Sequence, residues 1–146
     1  MTVDVTTEIV IDRPVVAVAT YATDPANAPV WYDNIEAVEW KTTPPAAVGS
    51  QVAFAARFLG RRLEYTYEFV ELVPGERVVM RTRHGPFPME TTYTWSPAGD
   101  SSARMTLRNR GVPSGFSKLV APLMTAAMRR ANRKDLAKLK AILEAT

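Results

Sequence analysis

Polar side chains fall on the apolar side of segments in which apolar and polar residues alternate. These side chains belong to Tyr65, Tyr67, Thr91, Tyr93 and Asn109. Alternation of this kind predicts β-strands with one face turned towards the interior. Buried hydroxyl and amide groups need partners, so they bond to one another, to enclosed water or to a ligand. Apolar walls with a few converging polar groups are typical of a small-molecule pocket.

The single histidine, His84, is the natural candidate for proton transfer near neutral pH. It lies in a predicted turn at one end of the sheet, where a histidine is usually exposed to solvent. A catalytic histidine also needs a carboxylate to orient it, and the sequence places neither Glu90 nor Asp100 beside it. Tyr93 and Asn109 are the other candidates for a catalytic role.

The sequence lacks the residues that several other kinds of site require. The chain has no cysteine, which excludes disulfides, thiol nucleophiles and cysteine-bound metals. One histidine and no carboxylate pair at helical spacing make a metal site improbable, and we predict no cofactor. The order of serine, histidine and aspartate matches no known catalytic triad. The seven glycines are dispersed in turns rather than gathered in a phosphate-binding loop.

Seven alternating segments predict the strands that position the polar residues. One side of nearly every segment is apolar and the other is charged, which is typical of an antiparallel sheet covered on one face. The predicted strands are residues 3–11, 35–40, 51–58, 63–69, 77–83, 87–95 and 103–110. Turns separate the later strands, with Gly60 at an expected tight hairpin and a turn-rich linker over 97–102.

Two short helices are predicted between the first and second strands. Asp12 is expected to cap a helix over 15–22, with Pro14 in its first turn. Asp24-Pro25 opens a second short helix that ends near Trp31.

The longest predicted element is a helix over residues 114–144. Its apolar residues recur at spacings of three and four, so that nearly all of them lie on one face. Ser114 is a candidate N-cap, and Pro122 is expected to kink the helix or to split off a first segment. A helix of roughly 45 Å needs a broad apolar surface, which the sheet would supply. We expect one α+β domain over 1–146, with a cavity between sheet and helix.

Composition and charge limit the kinds of molecule and surface that the chain is expected to bind. The 146 residues are 47% hydrophobic and 23% charged, which is the profile of one globular domain. We expect no signal peptide, because the N-terminus has neither a basic start nor a long apolar run. We expect no stable membrane insertion, because no segment has the long apolar run that a membrane span needs. The absence of cysteine fits a cytoplasmic location, which we expect. The formal charge is +3, and basic residues of the last helix predict a solvated face rather than nucleic-acid binding. The oligomeric state is left open, with a homodimer as one alternative.

Several short segments follow one another in a characteristic order. They are Asp12-Arg13-Pro14, Asp24-Pro25 to Trp31, Gly85-Pro86-Phe87-Pro88, Thr92-Tyr93-Thr94-Trp95, Pro113-Ser114-Gly115-Phe116 and Arg133 to Leu143. With these segments and its order of elements, the chain resembles the START-like (SRPBCC) superfamily, and within it the polyketide cyclase/dehydrase and lipid-transport family. The resemblance implies a helix-grip fold: a curved seven-stranded antiparallel sheet around a long C-terminal helix, with two short helices after the first strand. It also implies a deep, largely apolar cavity.

Strand and helix periodicity nominates the residues that line this cavity, and the resemblance adds Trp31, because the family places residues at the cavity mouth after the two short helices. The predicted ligand-binding residues are Trp31, Phe54, Phe58, Tyr65, Tyr67, Met89, Thr91, Tyr93, Met105, Asn109, Phe116, Val120 and Met124. Core packing is an equal explanation for any single methionine among them. Trp31 either contacts a ligand at the cavity mouth or plugs the end of the sheet.

Three functions fit these residues. The first is a module that binds or carries a small hydrophobic or aromatic molecule, lipid-like or polyketide-like, without chemistry. The second is an enzyme of the polyketide cyclase/dehydratase type acting on such a ligand in the same cavity. Its candidate residues for holding a carbonyl or moving a proton are Tyr65, Tyr67, Tyr93, Asn109 and His84. The third, an interaction protein that uses the basic helix face, ranks last, and the fold alone does not select among them.

Overall fold

The structure is a computed structural model that describes residues 2–112 and 121–146, except for the side chain of Ala121. The strands in these ranges are β1 Val3–Ile11, β2 Ile35–Trp40, β3 Gln51–Phe58, β4 Arg61–Val73, β5 Arg77–His84, β6 Met89–Gly99 and β7 Ser102–Gly111. The helices are α1 Val15–Thr23, α2 Ala28–Trp31 and α3 Ala121–Glu144, with a 3-10 turn at Pro25–Asn27 before α2.

All seven strands join one antiparallel sheet in the order β1-β7-β6-β5-β4-β3-β2. Strands β2 to β7 form a meander, and β1 returns to pair with β7 over its whole length. The sheet curls into a half-barrel, and α3 packs on it. The predicted α+β helix-grip fold, with two short helices after the first strand, is therefore confirmed.

Alternation along the strands separates a buried inner face from a charged outer one. In β7 the buried side chains are Ala103, Met105 and Leu107. The next residue, Arg108, lies on the outer face and donates to the Asp4 carboxylate at 2.7 and 2.9 Å. Such exposed pairs add little stability, but a one-residue shift in register would bury their charges. The alternation therefore fixes which residues face the interior.

The helices span the open side of the curled sheet from one edge to the other. α3 makes its most extensive contacts with the edge strand β1, α2 packs on the opposite edge strand β2, and the two helices contact each other. No helix within the described ranges is long and apolar enough to cross a membrane. The outward side of α3 exposes Arg130, Arg133, Lys134 and Lys138.

The expected cap at Asp12 is wrong. Helix α1 begins at Val15 with Pro14 as its N-cap residue, and no side chain caps it. The Asp12 carboxylate instead accepts a hydrogen bond from Ser102 Oγ at 3.1 Å, and its backbone N–H donates to Glu144 at 2.7 Å. Asp12 thus joins the end of β1 to the end of α3, a long-range role that local spacing does not indicate.

The linker predicted over 97–102 is also mostly strand. β6 continues to Gly99, and Pro97 pairs with Ala103 next to a shift in register. A proline is tolerated in a strand at such an irregularity, because the missing N–H need not complete the ladder.

The β3–β4 connection is the predicted tight hairpin. Phe58 pairs with Arg61, and the two residues between them, Leu59 and Gly60, have φ angles of 50° and 76°. Two positive φ angles are the mark of a type I′ turn, which matches the twist of the strands. The predicted N-cap Ser114 and the beginning of the long helix lie outside the described residues, and the kink at Pro122 stays a prediction.

Candidate functional site

A cavity of about 120 Å³ lies between the inner face of the sheet and the helices. Its apolar lining consists of Val3, Ala22, Pro25, Ala28, Ile35, Phe54, Ala56, Phe58, Leu63, Met80, Phe87, Met89, Gly111, Met124, Met128 and Ala131. Its polar lining consists of Thr23, Tyr32, Asn34, Tyr65, Tyr67, Thr91, Tyr93, Asn109, Arg110, Asn132 and Asp135. Since an apolar cavity of about 150 Å³ holds benzene, this one has room for about one ring.

The cavity lies where the apolar core divides in two. A small cluster of Val3, Val5 and Met124 packs near the beginning of the described part of α3. A larger cluster includes Leu136 and Leu139 near the end of the same helix. The cavity lining draws on both clusters. Among the described residues, the buried apolar side chains along α3 therefore form two clusters rather than one.

Most residues nominated from the sequence lie along this cavity. Those are Phe54, Phe58, Tyr65, Tyr67, Met89, Thr91, Tyr93, Asn109 and Met124. Two more, Phe116 and Val120, lie outside the described residues. Because side chains alternate between the two faces of a strand, the nominated strand residues lie on the same face of the sheet.

Trp31 and Met105 occupy the core instead, where each has 0% exposure. The Trp31 ring packs against Tyr32, with 4.1 Å between ring centroids, and against Tyr93 at 5.9 Å. It therefore backs the cavity wall rather than standing at the mouth. Met105 is paired with Ile9 on one side and Trp95 on the other, in the middle of the sheet.

His84 is exposed and is absent from the described lining of the cavity. It is the last residue of β5 and pairs with Thr66, so it belongs to a strand rather than to the predicted turn. Neither candidate carboxylate is bonded to it. Glu90 pairs with Arg81 and Arg110, at 2.9 and 3.0 Å, and Asp100 lies exposed in the β6–β7 turn.

Aromatic rings form the wall of the cavity over β3 and β4. Phe54 and Tyr65 stack with 5.6 Å between centroids, and Tyr67 meets the edge of Tyr65 at 5.0 Å. Offset and edge contacts of this kind are favourable and give this wall of the cavity an aromatic surface.

A chain of hydrogen bonds between cavity-lining side chains joins the sheet to α3. Tyr67 Oη lies 2.7 Å from Thr91 Oγ1, which donates to Asn109 Oδ1 at 2.5 Å. Asn109 Nδ2 donates in turn to Asn132 Oδ1 at 3.2 Å. Because the threonine hydroxyl has one proton and gives it to Asn109, Tyr67 must be the donor to Thr91. The chain therefore has a direction, from tyrosine to helix.

Two tyrosine hydroxyls form a second polar pair, with Tyr32 Oη 2.7 Å from Tyr93 Oη. Burial raises the pKa of Tyr93 despite this bond, and burial with the neighbouring Tyr93 raises the pKa of Tyr32 well above its ordinary value. Burial likewise raises the pKa of Tyr67 to about 12. These hydroxyls remain protonated at neutral pH and can donate hydrogen bonds.

Asp135 is the buried carboxyl group of the cavity, with 2% exposure. Its Oδ1 accepts the backbone N–H of Asp33, at 3.0 Å, just after α2. Burial raises its pKa to about 6, although that hydrogen bond and the nearby Lys134 and Lys138 lower it. A carboxyl group with a pKa near 6 can both accept and release protons close to neutral pH.

Tyr32, Asn132 and Asp135 are among the cavity residues that the sequence interpretation missed. Asn132 follows Met128 by four residues, and Asp135 follows Ala131 by four. This spacing places both on the apolar face of the helix, so a polar residue at a core position was the available signal. No group of three or more metal-binding side chains occurs in the described part of the chain.

The buried Asp135 should make the folding free energy depend on pH. Its pKa is near 6 when folded and near 3.8 when unfolded, so the folded state holds more protons between these values. Its contribution to stability is therefore present below about pH 4 and is lost as pH rises through 6. We expect Asp135→Asn, which keeps an acceptor for Asp33, to raise the unfolding free energy by on the order of 2 kcal/mol at pH 8.

Urea unfolding at pH 4 and pH 8 measures this difference. The gain from Asp135→Asn should nearly disappear at pH 4. Asp100→Asn, at an exposed turn, is the matched control for loss of one negative charge and should show no comparable gain. A gain that is independent of pH, or a loss of stability at pH 8, would contradict the burial of an ionised Asp135.

Three solved structures share this fold over nearly the whole chain. The protein TTHA0849 from Thermus thermophilus is 20% identical, with 97% of each chain covered and a TM-score of 0.83. The Zhui aromatase/cyclase from Streptomyces sp. R1128 is 15% identical, over 99% of this chain and 94% of that one, with a TM-score of 0.81. A START superfamily protein from Mycobacterium smegmatis is 12% identical over 97% of each chain, with a TM-score of 0.82.

These identities show the fold and no more, and no curated protein matches the sequence. The family is shown by a different comparison. The family model described as "Polyketide cyclase / dehydrase and lipid transport" matches residues 2–144. The resemblance noted in the sequence is thereby confirmed, and the chain belongs to the polyketide cyclase/dehydrase and lipid-transport family.

Proposed function

We propose that this domain binds a small hydrophobic or aromatic molecule in the cavity between the sheet and α3. The observation that carries the proposal is the apolar, aromatic-walled cavity at the point where the core divides. Unfilled apolar space costs a protein free energy in proportion to its volume, and apolar groups of a ligand that fill it offset this cost.

The residues that surround the cavity suit an irregular ligand. Met89, Met124 and Met128 are flexible and polarizable, so they adjust to the shape of a ligand, while Phe54 and Tyr65 contribute aromatic surface. The volume limits the buried part of the ligand to about one ring. A larger molecule would have to extend out of the cavity or displace these methionines.

The family and its structural neighbours support a hydrophobic ligand. The family description names polyketide cyclisation, dehydration and lipid transport, all of which concern hydrophobic molecules. One structural neighbour is described as an aromatase/cyclase.

A second candidate function, an enzyme of the cyclase/dehydratase type, is favoured by Asp135. A carboxylate in the cavity can remove a proton α to a ligand carbonyl, while hydroxyl groups hold the carbonyl oxygen. Tyr32 and Tyr93 share one hydroxyl proton in their mutual hydrogen bond, which leaves the other proton free for a ligand. The charge of nearby Asp135 contributes to the raised pKa of both tyrosines. This arrangement replaces His84 as the catalytic candidate.

Filling the cavity should abolish binding without unfolding the protein. Ala131 lines the cavity, so Ala131→Leu should weaken binding of toluene, indole and acetophenone at least tenfold, because the added side chain occupies the ligand volume. Calorimetry and thermal shift measure the loss. The control Ala126→Leu adds the same atoms on an exposed position of α3 and should bind as the wild type does. Unchanged binding by Ala131→Leu, or no binding by the wild type, would refute the proposed site.

Proton exchange separates an enzyme from a carrier. If Asp135 acts as a base, the protein should accelerate loss of deuterium from methyl-deuterated acetophenone in water, as followed by NMR. The rate should rise with pH through about 6, since the carboxylate is the active form. Asp135→Asn should bind the ketone but reduce the exchange at least a hundredfold. Binding without any acceleration by the wild type would indicate a carrier.

A further inference from the structure

One side-chain nitrogen in the cavity wall has no hydrogen-bond acceptor. Among the described residues, the buried side-chain nitrogens without a partner belong to Trp31, Trp95 and Asn132. The two indoles lie in the packed core, whereas Asn132 lines the cavity with 4% exposure. A buried donor without an acceptor is unfavourable, and cavity residues are where a ligand can supply one.

The hydrogen-bond chain explains why the amide donor, and not the amide oxygen, of Asn132 is left over. Asn132 Oδ1 already accepts from Asn109 Nδ2, and Asn109 Oδ1 accepts from Thr91. Turning the Asn132 amide over would bring two NH₂ groups together. The direction of the chain therefore presents Asn132 Nδ2 as a donor.

Charges around the cavity restrict which oxygen can be the acceptor. The Asp135 carboxylate lies one helical turn from Asn132 and would repel an anionic ligand. Among the described lining residues the cation is Arg110, and its guanidinium pairs with Glu90 at 3.0 Å. A neutral carbonyl oxygen suits this environment better than a carboxylate does.

We propose that Asn132 Nδ2 donates a hydrogen bond to a neutral carbonyl oxygen of the ligand, which makes aromatic ketones, aldehydes and quinones the preferred class. The proposal rests on ligand binding in this cavity, as proposed above. It adds that the protein distinguishes ligands by the carbonyl oxygen that Asn132 binds rather than by their aromatic ring. The apolar wall binds the ring, and Asn132 fixes its orientation.

A pair of probes with the same shape tests the selection. Acetophenone and α-methylstyrene differ in having C=O or C=CH₂ at one position, so their affinities compare the carbonyl with an isosteric group. We expect the wild type to bind acetophenone about tenfold more tightly, and to bind benzoate more weakly than acetophenone. Infrared spectra should show the carbonyl stretch of bound, ¹³C-labelled acetophenone at lower frequency than in a non-hydrogen-bonding solvent.

Two variants identify the donor. Asn132→Leu removes the donor, and Asn132→Asp removes it while keeping an acceptor for Asn109, so that one variant preserves the hydrogen-bond chain. In both variants, acetophenone and α-methylstyrene should bind with nearly equal affinity, and the infrared shift should disappear. If the wild type binds both probes equally, the carbonyl selection is wrong while the binding function stands. If it binds neither probe, both proposals are refuted. A preference retained by both variants would mean that another residue is the donor.

Discussion

The hydrogen-bond chain from Tyr67 through Thr91 and Asn109 to Asn132 is the interaction on which the site depends. It joins strands β4, β6 and β7 to helix α3 where the apolar core is divided. Within the chain each donor meets an acceptor, so most of its polar groups are buried at little cost. The remaining donor at its end faces the site that we assign to the ligand.

Helix α3 combines two roles that are usually separate. Leu136, Leu139 and Leu143 anchor it in the larger core cluster, while Met124 and Met128 form an adaptable part of the cavity wall. Asn132 and Asp135 lie between these groups on the same face. Burying the Asp135 charge costs stability at neutral pH, and groups with strongly shifted pKa values are concentrated at functional sites. A role for the Asp135 carboxyl group in the site would account for this cost.

Much of the fold and part of the site could be predicted from the sequence. A strand has a period of two, so finding one inward residue such as Tyr67 identifies the others on that face. Periodicity gives the face but not the depth, which is why Met105 falls in the core. The bonded partner of Asn132 is 23 residues away, and the Tyr32 hydroxyl meets Tyr93, 61 residues away. Local patterns carry no information about such pairs, because they depend on how α2 and α3 cross the sheet.

The central claim is that the space between the sheet and α3 holds a small ligand. Native mass spectrometry of the protein purified from its own host tests this claim most directly. We predict a fraction of the protein with added mass, and release of a small aromatic or hydrophobic compound with a carbonyl group on unfolding. The same preparation of Ala131→Leu should have the mass of the chain alone. A wild-type protein with no retained compound, and no thermal shift with aromatic or lipid probes, would contradict the account.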